Sequence, residues 1–179
     1  AFMNSMLVKY CQYAKYENVR VTIPRTVVVA TDYFDAFIRN NGLEYVLTTE
    51  MTDEEILSEF VSSTLPYKLR EALKAYVRTV SGPLAVRSSS KLEDSHYQPF
   101  AGIYSTYMIP YTEGNEDRQL RLLQKAIKSV YASTYFAASK AYVQSSQNLI
   151  AEEKMAVVIQ EVCGTEQDGL FFPTLSGVA

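Results

Sequence analysis

Apolar residues along the chain follow two patterns, which predict short strands and amphipathic helices. The run TVVVA at 26–30 is rich in β-branched residues and is typical of a buried strand. The run MAVVIQEV at 155–162 gives the clearest strand pattern in the chain. Residues 84–87 predict a strand that ends in an arginine, and residues 88–102 predict a loop. Weaker strand patterns cover residues 103–109, 170–172 and 175–179.

Helices are predicted between these strands, several of them with recognisable start and stop signals. Thr31 is the expected N-cap of a helix that turns Phe34, Phe37 and Ile38 inward, and Gly42 is expected to end that helix. Further helices are predicted to start at a capping box of Thr52 and Glu55, at Pro66, at Gly114 and Asn115, and near Ser133.

This order of elements indicates the α/β (α+β) class, with helices packed on a mixed sheet. On the helix after Asn115, a solvated face is expected to carry the basic residues Arg118, Arg121, Lys125 and Lys128. No helix start signal precedes the apolar face that begins at Phe2, and the chain stops in the apolar run LSGVA. We therefore expect residues 1–179 to be one domain fragment that is truncated at both ends.

Composition narrows the classes of function. The 179 residues carry a formal net charge of −3 and no basic tail, which argues against a nucleic-acid partner. No apolar run approaches the roughly 20 residues that cross a bilayer, so no membrane span is expected. Cys11 and Cys163 lie far apart, which favours a reducing cytoplasmic location, and Cys163 is expected to be a core thiol.

The common motifs for phosphate loops, zinc sites and histidine-based triads are missing. The sequence contains neither G-x-x-x-x-G-K-[ST] nor G-x-G-x-x-G, and it has neither C-x-x-C nor H-E-x-x-H. His96 is the single histidine of the sequence. A catalytic triad or a zinc site within this chain is therefore not expected.

The segment AVRSSSKLED at 85–94 contains the side chains of this chain that are best suited to contact a ligand. A guanidinium matches two phosphate oxygens at once, and Arg87 closes a predicted strand that would hold it in place. Serine hydroxyls follow it, and Gly102 would let backbone N–H groups approach a ligand. The chemistry alone also allows a structural role, in which Arg87 pairs with Glu93 or Asp94.

Four segments occur in the order found in one known family. LAVRSSSKLED, PFAGIYSTY, MAVVIQEV and SGVA resemble the N-terminal nucleotide-binding domain of phosphoenolpyruvate synthase and pyruvate phosphate dikinase. The segment VTIPRTVVVATDYFDAFIRNNGL is similar to the same domain, so the resemblance covers nearly the whole chain. It implies an ATP-grasp fold, in which two lobes close on ATP with Mg²⁺.

The resemblance also implies an activity and a set of contacts. In this family, ATP phosphorylates a carrier histidine on another domain, and that phosphate then reaches pyruvate on a third domain. Adenine is expected at Gln160, Glu161 and Val162. The expected phosphate contacts are Arg87, Ser88, Ser89, Phe100, Ala101 and Gly102.

This chain departs from the family pattern at several points. A phosphate-binding lysine of the family falls before Ala1, and its metal-binding carboxylates fall beyond SGVA, so we expect the fragment alone to be inactive. Ile103 and Ser105 replace polar positions, and His96 does not correspond to the carrier histidine. A regulatory module that binds nucleotide without turnover, or a dikinase acting on a glucan or an antibiotic, therefore stays open. The sequence also leaves open whether the parent protein forms a homo-oligomer.

Overall fold

The computed structural model describes residues 5–7, 9, 22–90, 104–145 and 154–177. The chain divides into two compact units. Residues 26–162 form one of them, here called the sheet unit, and residues 1–25 together with 163–179 form the other, here called the hairpin unit. Residues 5–7 and 9 are helical, and the rest of the helix predicted from Phe2 onward lies outside the described residues.

The sheet unit contains one sheet and its helices. Along the chain its elements are β1 (Thr26–Val29), α1 (Thr31–Asn41), a 3₁₀-helix (Leu43–Leu47), α2 (Asp53–Ser62), α3 (Tyr67–Val77), β2 (Leu84–Ser90), β3 (Tyr107–Ile109), α4 (Glu116–Ser133), α5 (Ala137–Ser145) and β4 (Met155–Glu161). Helices packed on a sheet confirm the predicted α+β class.

The four strands lie in the order β1-β4-β2-β3, and every pairing among them is antiparallel. β4, the last strand of the sheet unit in the sequence, thus lies between β1 and β2. Its Val158 lies opposite Val28 of β1 and opposite Arg87 of β2. β4 therefore fixes the relative register of strands that are far apart in sequence.

Helices cover one face of this sheet. Alternate strand residues are buried against them, namely Val29, Leu84, Val86, Ile109, Met155, Val157 and Ile159. The long helix α4 lies in the middle of the helical layer and packs against α2, α3 and the strands. Each fully buried aliphatic side chain of this kind stabilises the fold by roughly 1.5–3 kcal/mol.

Aromatic side chains fill the space between α1, α2 and α4. The Phe34 and Tyr131 rings meet edge to face with their centroids 5.0 Å apart, and Phe37 packs between Phe60 and Tyr131. Burial raises the pKa of the Tyr131 and Tyr135 phenols well above its usual value. Both phenols are therefore neutral at physiological pH, as an apolar site requires.

Local signals define most helix ends. Gly42 ends α1 in the left-handed region at φ 64°, where its N–H bonds to the carbonyls of Arg39 and Ile38. At α2, the Thr52 hydroxyl accepts from the Glu55 N–H and the Glu55 carboxylate accepts from the Thr52 N–H, as predicted. These two reciprocal bonds satisfy donors that a helix start otherwise leaves unpaired.

The N-cap predicted at Thr31 is wrong. Ala30 is the capping residue of α1, with extended backbone and no side-chain bond, and Thr31 is already helical. The N-cap position between the strand and the helix is thus occupied by alanine, which has no side-chain acceptor, and the Thr31 hydroxyl lies one residue too late to cap the helix.

Three predicted strands differ from those observed. The loop predicted from Ser88 starts later, because Ser88, Ser89 and Ser90 continue β2 and pair with β4. The strand predicted at 103–109 is confined to Tyr107–Ile109 in the described part of the chain. The described residues of the stretch predicted at 175–179, residues 175–177, form no strand.

The hairpin unit holds the paired strands β5 (Thr165–Gln167) and β6 (Leu170–Phe172). Asp168 and Gly169 join them at φ 52° and φ 78°, and two positive φ angles are typical of the tight turn that suits twisted strands. The sequence predicted β6 but missed β5, whose residues are polar. Cys163 is exposed, so its prediction as a core thiol is wrong.

One of the four basic residues on α4 has a structural role. Arg118, Arg121 and Lys125 are exposed as predicted, whereas the half-buried Lys128 donates hydrogen bonds to the carbonyls of Val61 and Ser63. These carbonyls lie at the end of α2, where a cation interacts favourably with the helix dipole. Burial lowers the pKa of Lys128.

Loss of the capping box should destabilise the sheet unit. Thr52→Ala removes the hydroxyl that accepts from the Glu55 N–H, and we expect the free energy of unfolding to fall by about 1 kcal/mol. Urea unfolding followed by circular dichroism measures this change. Thr49→Ala is the matched control, since Thr49 is exposed just before the helix. Equal stability of the two variants would contradict the capping role.

Loss of the Lys128 ammonium should also weaken the fold. Lys128→Met keeps most of the aliphatic chain but leaves the Val61 and Ser63 carbonyls without their donor. We expect a loss of about 1–3 kcal/mol in urea unfolding. Lys125→Met, an exposed lysine on the same helix, should change stability by less than about 0.5 kcal/mol. If both variants changed the free energy of unfolding by the same small amount, the hydrogen bonds from Lys128 to α2 would not contribute measurably to stability.

Candidate functional site

Strand alternation places Arg87 on the side of the sheet that the helices do not cover. Leu84 and Val86 of β2 are buried under the helices, so Ala85, Arg87 and Ser89 lie on the opposite side. Arg87 is exposed, and it sits near the centre of the sheet because β2 pairs with both β3 and β4. The sheet thus holds the backbone of Arg87 firmly while its guanidinium faces outward.

The surface around Arg87 is mostly apolar, and it is called the open face from here on. Register and alternation assign to it Thr26, Val28, Ala85, Arg87, Ser89, Met108, Ala156, Val158 and Gln160. Val28 is 58% exposed and Met108 is 67% exposed, although both belong to strands. One fixed cation on an apolar floor suits a ligand that has both a flat apolar part and an anionic part.

The guanidinium of Arg87 has no hydrogen bond or ion pair within the described part of the chain. The alternative acidic partners, Glu93 and Asp94, lie outside the described residues, as do His96 and the predicted loop residues Phe100, Ala101 and Gly102. An exposed guanidinium that is held by a central strand is well placed to contact an anion. The proposed phosphate role of Arg87 stays a prediction.

The serines that follow Arg87 are split between the two faces. Ser88 lies opposite the buried Val157 and therefore faces the helices, and Ser90 is itself buried. Ser89 lies opposite Ala156 on the open face. Of the two serines predicted to contact phosphate, the structure places Ser89 beside Arg87 and turns Ser88 away from it.

The predicted adenine residues also separate. Gln160 is on the open face, where its Nε2 donates a hydrogen bond to the Thr26 hydroxyl at 3.0 Å. Glu161 alternates to the helix side. The Val162 N–H donates to the Pro83 carbonyl at 2.9 Å, so that N–H is not available to a base. Gln160 therefore has its side chain on the face that carries Arg87, whereas Glu161 does not.

Sequence reasoning missed the contribution of β1 to this face. The expectation that residues 26–30 form a fully buried strand is wrong, since Val29 alone is buried in β1. β1 lies at the edge of the sheet, and the helices cover just one side of it. Period-two alternation could have assigned Thr26 and Val28 to one face, but four β-branched residues in a row hide that period.

A separate cleft lies between the end of α3 and the start of α4. Its volume is about 390 Å³, and Val77, Val80, Tyr111 and Gln119 are among the residues that line it. None of the residues predicted to contact ATP lines this cleft. Arg78 also lines the cleft, but it is already paired with Glu116, so we do not take the cleft as the candidate site.

The described residues offer no group of three or more His, Cys, Asp or Glu side chains that could hold a metal ion. None of the helices within the described ranges is both long enough and apolar enough to span a bilayer.

Comparison with known proteins decides the family. The model for the pyruvate phosphate dikinase AMP/ATP-binding domain matches residues 4–179. The chain belongs to this family. The family assignment confirms the resemblance of the sequence motifs, and it agrees with an open face that carries a fixed cation. As a member of this family, the chain is an AMP/ATP-binding domain.

Two curated proteins are similar to this chain, one named as a phosphotransferase and the other as a phosphoenolpyruvate synthase. The "Uncharacterized phosphotransferase YvkC" of Bacillus subtilis is 31% identical over 157 residues, which cover 84% of this chain and 17% of that protein. The "Phosphoenolpyruvate synthase" of Aeropyrum pernix is 29% identical over 174 residues, which cover 85% of this chain and 20% of that protein. The chain thus spans about a fifth of the length of these relatives.

Proposed function

We propose that this chain is the ATP-binding portion of a dikinase-like phosphotransferase with an ATP-grasp architecture. The parent protein would transfer phosphate from ATP to a carrier histidine on another domain, for the phosphorylation of pyruvate or a related acceptor. The observation that supports ATP binding most directly is the placement of Arg87 and Gln160 on one exposed face of the sheet. Membership of an AMP/ATP-binding family supports the same proposal.

The spacing of the two side chains suits one nucleotide. Arg87 lies opposite Val158, and Gln160 is two residues further along the same strand, so the two positions are diagonal neighbours. Diagonal Cα atoms in an antiparallel pair are about 7–8 Å apart. A base beside Gln160 would rest on Val28 and Val158, and its phosphates would extend toward Arg87.

The chain contributes charge and position to phosphoryl transfer. Catalysis of this reaction depends mainly on holding the phosphates and neutralising their charge. Arg87 would supply a bidentate cation, and Ser89 would supply a hydroxyl donor on the same face. The resemblance adds Ser88 and the loop of Phe100, Ala101 and Gly102 as further phosphate contacts, and Glu161 and Val162 as adenine contacts.

Magnesium is part of the proposal only because the family resemblance implies it. The described residues hold no carboxylate cluster for it, so the binding argument above does not use a metal. A regulatory module that binds nucleotide without turnover is the second candidate, because Ile103 and Ser105 stand at positions that the family often fills with Gln and Glu. Incubation of the intact protein with ATP distinguishes the phosphotransferase from the regulatory module. Only the phosphotransferase should acquire an acid-labile phosphohistidine.

Removal of Arg87 should weaken nucleotide binding selectively. In calorimetric titration of the intact protein with ATP, we expect Arg87→Ala to raise the Kd roughly ten- to a hundredfold, about 1.5–3 kcal/mol for a hydrogen bond to a charged group. Stability should change little, since the side chain is exposed.

Arg121→Ala is the matched control for this titration, because Arg121 is an exposed arginine on α4. It should leave the Kd for ATP unchanged. Wild-type protein that binds no ATP would refute the proposed function. Equal affinities of wild-type and Arg87→Ala protein for ATP would show that Arg87 does not contribute to phosphate binding.

A further inference from the structure

We propose that the cleft between the end of α3 and the start of α4 is a second small-molecule site, which takes an uncharged ligand with a carbonyl acceptor, such as a carboxamide. The volume of the cleft, about 390 Å³, lies within the range of sites that hold small ligands. The cleft shares no residue with the open face. The inference therefore goes beyond the proposed nucleotide site and does not depend on it.

The observation that carries this inference is a buried amide with one unsatisfied end. Gln119 lines the cleft, and it is 2% exposed. Its Oε1 atom accepts a hydrogen bond from the Thr112 N–H at 3.0 Å. Within the described part of the chain, its Nε2 atom has no hydrogen-bond partner. A buried donor without a partner is costly and rare, so an acceptor that enters the cleft would relieve it.

The contact with Thr112 fixes which end of the amide is free. A backbone N–H can donate but cannot accept, so the carbonyl oxygen of the Gln119 amide must face it. The NH₂ group is then the end turned away from Thr112, and it can bond only to an acceptor. The Thr112 backbone is restrained as well, because its carbonyl accepts from the Asn115 N–H at 3.2 Å. The wall of the cleft therefore offers a donor whose identity is set by the backbone.

The other lining residues select against a charged ligand. Val77 and Val80 are buried, whereas Arg78, Glu116 and Asp117 are exposed at the mouth of the cleft. The Arg78 Nε atom donates to Glu116 Oε2 at 3.3 Å, and this one guanidinium stands against two carboxylates. An anion would thus meet an excess of negative charge, and a cation without an acceptor would leave the buried NH₂ group unpaired. An uncharged carbonyl compound with an apolar body avoids both costs.

The test uses three probes of nearly the same shape that differ in charge and in their acceptors. Benzamide is uncharged and has a carbonyl oxygen, benzoate has oxygens but is an anion, and benzamidine is a cation without oxygen. Each is titrated into the intact protein and followed by ligand-observed NMR. Benzamide should bind with a Kd of roughly millimolar order, as befits so small a ligand. Its Kd should be about two- to tenfold lower than that of either analogue, the span for one ordinary hydrogen bond.

A substitution at Gln119 locates the binding in the cleft. Gln119→Glu keeps an oxygen for the Thr112 N–H but replaces the NH₂ donor with a second oxygen, so it should reverse the preference and favour benzamidine over benzamide. Arg121→Ala is the matched control, since it changes an exposed arginine of the same helix outside the cleft. It should keep the wild-type order of the three probes.

The wild-type titrations decide the question even if Gln119→Glu does not fold. Tightest binding of benzamidine would show that the negative charge at the mouth governs binding, and tightest binding of benzoate would show that Arg78 does. Either result would overturn the inference, and so would an unchanged order of probes in folded Gln119→Glu. If no probe binds, the cleft holds only solvent and the inference is wrong. ATP binding is measured separately at the open face, so each of these failures leaves the proposed function intact.

Discussion

The rest of the sheet unit depends on the pairing of β4 with two strands that lie far away in sequence. β4 lies between β1 and β2, and its residues pair with residues at least 65 positions earlier in the chain. Closing such long loops costs conformational entropy before any contact is gained, so this sheet is expected to form late and cooperatively. Without β4, β1 has no partner strand among those described, and Gln160 has no place on the face of Arg87.

The register of this pairing determines which side chains lie on the open face and which lie under the helices. The side chains of a strand alternate between the helix side and the open face, so a slip by one residue would exchange the two sets. Val86 would then face outward and Arg87 would enter an apolar layer, where an unpaired charge is very costly. The buried residues on either side of Arg87 therefore hold the guanidinium at the surface as much as they stabilise the fold.

Local chemistry made two helix ends predictable, whereas contacts with distant strands and helices determined features that the sequence did not show. The capping box at Thr52 and the left-handed Gly42 depend on residues a few positions away, and both were predicted correctly. Ser88 and Ser89 continue a strand despite their weak strand preference, because β4 supplies the pairing. The exposure of Val28 follows from helices that cover one side of an edge strand, which no local pattern encodes. Arg87 was identified as a candidate from its chemistry, but the placement of Val158 and Gln160 beside it could be known only from the register.

Adjacent residues of one strand have different roles in this sheet. Those under the helices stabilise the fold, and those on the open face belong to the proposed binding site. On β2, Val86 is fully buried whereas Arg87 is exposed, and on β4 the buried Ile159 precedes the half-buried Gln160. The open face still exposes valine and methionine, so it carries an apolar cost that a bound base would relieve. A fold that needed only stability would place polar side chains on that face. We therefore interpret the apolar floor, the exposed Arg87 and the Gln160 amide on this face as parts of the proposed nucleotide site.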